Sequence, residues 1–243
     1  MKMKMLSPLF AGVLLFVACK KDPVTVPVKF TETTYQTLAT YDTSGRPSNL
    51  LPKDTVSSQM ITYIKNTLIE KSDLRSTNPE LLTTKAIADI KITQPSDVFI
   101  TYVSQLTNST NALAFYTYPS NMPPASAKDI KQITYVFPSV GLGTKLQAGD
   151  KVKIGRFEVG TSIGFVILKD AWNTTTKTLN NDAVHFCSND ALNPEVDPNL
   201  KKHAVLINYP SENKVLIGFE NTDRSSEKCD HDFNDVVIYA TVR

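Results

Sequence analysis

Oxygen donors crowd one stretch near the C-terminal end of the chain. Between Gly218-Phe219-Glu220 and Val236-Val237-Ile238-Tyr239 fall Glu220, Asp223, Glu227, Asp230, Asp232, Asn234 and Asp235. Carboxylates packed so closely repel one another unless they are protonated, solvated apart or bridged by a hard cation. Calcium takes six to eight oxygens at about 2.3–2.6 Å and tolerates irregular cages. Ca2+ is therefore the expected bridge, with Glu220, Asp223, Asp230, Asp232, Asn234 and Asp235 as candidate ligands. A solvated acidic loop is the competing reading. Asp230, Asp232 and Asn234 alternate with His231 and Phe233, so three donors share one side while Phe233 turns toward a core. On a straight strand such donors stand roughly 6.6 Å apart, too far to grip one ion, so the segment must bend before its last strand. It is not an EF-hand loop. Counted from Asp230, that pattern needs Gly at the sixth position and Glu at the twelfth, where this chain has Asp235 and Thr241.

Two other groups carry chemistry. His185-Phe186-Cys187 and Cys229-Asp230-His231 place imidazoles and thiols at period-2 spacing. Cys187 and Cys229 have three open fates: a disulfide, which an even pair in an exported protein suggests, a zinc site with the two histidines, or two separate thiols. Disulfide formation demands Cα atoms within about 7 Å. His203, opening a strand, reads as structural, and Trp172 reads as core or rim rather than a sugar platform. The chain has no nucleophile elbow, His-Glu-x-x-His helix, P-loop or Gly-rich dinucleotide turn. Paired carboxylates could cleave glycosides, but this crowd of donors suits an ion better than an acid and a base with separated pKa values.

The elements that would position these residues are mostly strands. Residues 30–51 are polar and Thr-rich, without a clear period. One amphipathic helix is expected over about 54–71, capped by Asp54 or Thr55, with Val56, Met60, Ile61, Tyr63, Ile64 and Leu68 as its apolar stripe. After Asn78-Pro79, strand patterns recur over residues 88–92, 97–106, 112–118, 130–137, 151–157, 161–168, 184–186, 203–209, 214–219 and 233–242. Strands at spacings near a dozen residues, without regular helices between them, predict a mostly β, antiparallel β-sandwich, jelly-roll-like, with one N-terminal amphipathic helix.

The N-terminus reads as an export signal. Lys2 and Lys4 precede an apolar run over residues 5–18, too short for a permanent membrane span. Leu15-Phe16-Val17-Ala18-Cys19 resembles a bacterial lipobox, with Phe16 where Leu is commoner. That resemblance implies cleavage before Cys19, lipidation of Cys19 and a membrane tether over residues 19–29; more than one acyl chain makes such attachment stable. Lys20-Lys21-Asp22 resembles the start of Bacteroidetes lipoproteins. Removing residues 1–18 takes away two lysines and no acid, leaving 24 basic and 24 acidic residues. No basic, aromatic-interleaved patch argues for nucleic acid as a partner.

From Gly160 onward the landmarks resemble one family. In order they are Gly160-Thr161-Ser162-Ile163-Gly164-Phe165-Val166-Ile167, Asp170-Ala171-Trp172-Asn173, Ser188-Asn189-Asp190-Ala191-Leu192-Asn193-Pro194, His203-Ala204-Val205-Leu206, Gly218-Phe219-Glu220 and Asp230-His231-Asp232-Phe233-Asn234-Asp235-Val236-Val237. This set is similar to the C-terminal domain of unknown function in LruC-type bacterial surface lipoproteins and some RTX-like adhesins. Residues 97–103 and 111–119 share the likeness, so the domain is expected over 97–243, after an N-terminal segment over 30–96. The resemblance implies an extracellular, calcium-binding β-sandwich without established catalytic activity, its acidic signature falling on Glu220, Asp230, Asp232, Asn234 and Asp235. Where those domains read Gly-Phe-Glu-Asp, this chain has Asn221, which weakens the site without removing its oxygen.

The expectation is a non-enzymatic lipoprotein of the bacterial outer membrane, periplasmic or surface-facing, with a structural or adhesive role. An extracellular protein or glycan is its expected ligand. The alternative is a carbohydrate- or protein-recognition component of an outer-membrane uptake system, with an aromatic platform near Trp172 or Tyr116 and Tyr118. A glycosidase or esterase stands third.

Overall fold

In the computed structural model, residues 26–83 and 89–243 are described. The expected signal segment, Cys19, most of the expected tether and the first residue of the strand expected from Ala88 lie outside them. Among the described residues, no helix is long and apolar enough to cross a membrane.

The chain is mostly β. In order it forms β1 (Thr34–Thr37), α1 (Ser58–Thr67), the short α2 (Leu74–Thr77), β2 (Ile90–Lys91), β3 (Ser96–Gln105), β4 (Ala112–Pro119), β5 (Gln132–Phe137), β6 (Lys151–Phe157), β7 (Thr161–Lys169), β8 (Trp172–Asn173), β9 (Thr178–Leu179), β10 (Val184–Cys187), β11 (Ala204–Tyr209), β12 (Lys214–Phe219) and β13 (Val236–Val242). One large sheet runs β1-β5-β4-β7-β10, with β2 also on β7; the other runs β11-β12-β13-β3-β6, and β8 and β9 form a separate two-stranded ladder. All pairings are antiparallel except that of β1 with β5. A single buried cluster takes Leu113, Phe115, Phe165 and Ile167 from the first sheet and Val98, Ile100, Ile217 and Ile238 from the second. The two sheets thus share an apolar core face to face, the arrangement that hides one side of each.

Each sheet also has an outer layer. On the second, Met60, Ile64 and Leu68 of the α1 region pack with Val103, Val205, Leu216, Phe233, Val237 and Tyr239. The apolar stripe expected from the 3.6 period is thus buried on this face, whereas Ile61 and Tyr63 stay largely exposed. The helix starts later than expected: Ser57, not Asp54 or Thr55, is the cap, accepting from the Met60 amide at 3.0 Å. The physical reason is that the Asp54 amide donates to the Gly149 carbonyl and Leu51 bridges to Lys151, which keeps this stretch extended beside β6. Strands before Asp97 also serve the sandwich, β1 at one edge and β2 on β7.

Candidate functional site

Glu220 follows β12, and the connection to β13 carries the remaining acidic residues. The Gly218-Phe219-Glu220 motif has a steric basis: a Cβ on Gly218 would sit 2.4 Å from the Phe233 carbonyl oxygen and 2.6 Å from Leu68 Cδ1. Only glycine lets the loop close on the strand. The expected bend occurs at His231 and Phe233, both in the left-handed region with φ of 59° and 58°. Phe233 does point into the core, fully buried, with the Arg224 guanidinium over its ring at 5.1 Å.

The bend brings carboxylate oxygens of Glu220, Asp230 and Asp232 within 4.8 Å of one another. Oxygens around one calcium at about 2.4 Å can stand up to roughly 4.8 Å apart, so this spacing suits a shared ion. Glu220 is 1% exposed, and its Oε2 is buried without a hydrogen-bond partner. A buried orphan oxygen of this kind is costly unless something occupies the space before it. Burial, then the neighbouring Asp235, holds the Glu220 carboxyl well above the usual carboxylate range. Burial likewise raises Asp232 to about 6.

The other expected ligands make local hydrogen bonds around this cluster. Asp223 accepts from the Ser225 amide at 2.8 Å and the Ser225 hydroxyl at 2.6 Å, closing a local turn. Asn234 donates through its side-chain amide to the Leu68 carbonyl at 3.3 Å. Asp235 accepts from the Asn221 amide at 2.8 Å. Asp232 itself accepts from the Lys71 amide at 2.8 Å and the Asn234 amide at 3.1 Å. The acidic loop is therefore stitched to the end of α1 as well as to β12.

A buried network that the sequence did not announce supports the site. His203, fully buried, meets the Glu220 carbonyl through Nδ1 at 2.8 Å and Glu195 Oε1 through Nε2 at 2.6 Å. Phe186 stacks on its ring at 4.1 Å. Arg224 donates to His231 Nδ1 at 3.1 Å and to the Lys202 carbonyl at 3.0 Å. Glu195 sits in a Pro/Asn/Asp-rich loop whose composition carries no periodic signal, which hid its role.

Of the three fates open to the cysteines, the structure shows two separate thiols. Cys187 and Cys229 are both free and buried, with no disulfide between them. Cys187 packs in the outer layer of the first sheet with Ala112, Ala114 and Val166, while Cys229 lies 3.4 Å from His231 Nδ1 in the acidic loop. Nor do the two His/Cys pairs converge on a zinc site. His185 is engaged by the Tyr35 hydroxyl and the Ala183 carbonyl, each at 2.8 Å, and stacks on Phe30. Burial lowers both His185 and His231 to about 4. Trp172 is 3% exposed and meets Tyr41 edge-on, so it offers no platform. Tyr116 is likewise buried.

Fold and site together define a two-sheet β protein with a carboxylate-lined loop locked against its last strands. Residues 157–243, which hold that loop, match the family described as a domain of unknown function (DUF4114). No curated protein and no solved structure matches the chain.

Proposed function

We propose that the acidic loop is a calcium site of a non-catalytic β-sandwich lipoprotein at the bacterial outer membrane, with a structural or adhesive role. The observation that carries the reading is the convergence of Glu220, Asp230 and Asp232 on one point, with Glu220 buried and its Oε2 unpartnered. Calcium would neutralise carboxylates that otherwise retain protons, and it would tie β12, the loop and the end of α1 into one unit. The LruC-type resemblance and the lipobox-like run ending at Cys19 support the envelope setting.

The test is thermal unfolding with EDTA and with millimolar calcium. A hundredfold excess over Kd stabilises by about 2.7 kcal/mol. For a chain of this size that is roughly 5–10 °C of melting temperature. Asp232→Ala abolishes the calcium-dependent part. Identical melting in EDTA and calcium refutes the site.

A further inference from the structure

A second cavity lies between the sheets, away from the acidic loop. A cleft of about 770 Å³ opens where the inward face of the first sheet runs past the end of the second. The shared core thins there, and the inward positions turn polar. Gln36 on β1 is in register with Thr134 on β5, and Thr134 is in register with Phe115 on β4. Gln132 and Thr117 continue that face at period 2, beside Ile163 and Phe165 of β7. Strand positions that point between two sheets are normally apolar, so a row of two glutamines and two threonines there marks a wall meant to stay wet.

We propose that this cleft binds a neutral glycan chain. The opposite wall is apolar, built from Ile154 and Phe157 of β6, with Phe157 edge-on to Phe115 at 6.2 Å. The Met122-Pro123-Pro124 segment closes one end, Met122 being 69% exposed. The Gln36 and Gln132 side-chain amides both donate to Thr134 Oγ1, at 3.1 and 3.2 Å, which fixes their orientation. Each amide keeps a carbonyl acceptor and a second N–H, the mixed capacity that sugar hydroxyls match. An aromatic and aliphatic wall opposite suits the C–H face of a pyranose ring. Charge argues against an ionic ligand. Lys131 is paired with Glu32 at 2.7 Å, and Asp129 accepts from the Ala125 and Ser126 amides at 3.0 and 2.9 Å. The cleft volume lies in the range of small-ligand sites, enough for a few sugar units.

The test is isothermal titration of the full chain with xylo-, manno-, cello- and laminari-hexaose, with a polygalacturonate hexamer and a proline-rich peptide as comparators. At least one neutral hexasaccharide should bind, and Gln36→Ala and Gln132→Ala should each weaken it roughly tenfold, the usual cost of one lost polar contact. Both glutamines are exposed, so the variants should melt as the parent does. Asp230→Ala should leave glycan affinity unchanged, which separates this site from the calcium loop. Silence toward all four neutral sugars, affinity untouched in both glutamine variants, or preference for the acidic hexamer or the peptide overturns the proposal.

Discussion

Single residues in this chain carry charge where charge is expensive, and Asp89 shows the consequence outside the acidic loop. It accepts from the Tyr118 hydroxyl at 2.7 Å and from the Ser188 hydroxyl. Burial outweighs those bonds and raises its carboxyl to about 6 from an ordinary 3.8. The folded state therefore holds a proton that the unfolded chain releases at lower pH. Stability contributed by that proton is present below about pH 4 and is lost as pH rises through 6. Asp89→Asn removes the titration. Measured in EDTA, the variant should gain on the parent between pH 4 and 7 by on the order of 3 kcal/mol, the full linkage for a shift of this size. A parent-to-variant difference in melting temperature that stays flat over that window contradicts this account.

At the scale of elements, Gly218 couples the second sheet to the site. Its missing side chain is the space that the Phe233 carbonyl and Leu68 occupy, so Gly218→Ala must push the loop off β12 or move the end of α1. Overpacking of this kind costs about 1–3 kcal/mol. Since the displaced segment also carries Asp230 and Asp232, Gly218→Ala should lower the EDTA melting temperature and shrink the gain from calcium. An unchanged calcium gain would show that the loop and strand are independent. Much of this level is legible in the sequence. β6 and β12 occupy the residues that period-2 alternation marks, and the Asp-x-Asp-x-Asn run announces a bend before the final strand. What stays hidden has physical causes. β1, Thr-Tyr-Gln-Thr, is an edge strand whose side chains are mostly exposed, so it shows no hydrophobic period. Which carboxylates converge depends on left-handed turns at His231 and Phe233 and on a bond from the distant Lys71 amide, and no spacing rule encodes either. The cysteines share a spacing motif with histidine but sit in separate layers, which sequence separation does not reveal.

At the scale of the whole molecule, the span matched by the family is not a structural unit on its own. Residues 157–243 supply β7 and β10 to one sheet and β11, β12 and β13 to the other. β7 pairs along its length with β4, and β13 pairs along its length with β3, both outside the span. Of the 24 buried residues that join the sheets, 13 precede Phe157, from Ile90 to Ile154. Outer layers depend on the N-terminal part too: Met60, Ile64 and Leu68 cover β13 on one side. Cut at 157, the chain would expose two long strand edges and lose more than half of the shared core, a state that small β assemblies rarely survive. The expected outcome is that residues 157–243 expressed alone give a narrow amide NMR spectrum and no cooperative melt, with or without millimolar calcium. The full chain should unfold in one cooperative transition. A dispersed spectrum and sharp melt from the isolated span would make it an autonomous domain, and the proposed calcium site would then owe its geometry to β12 and β13 without help from α1.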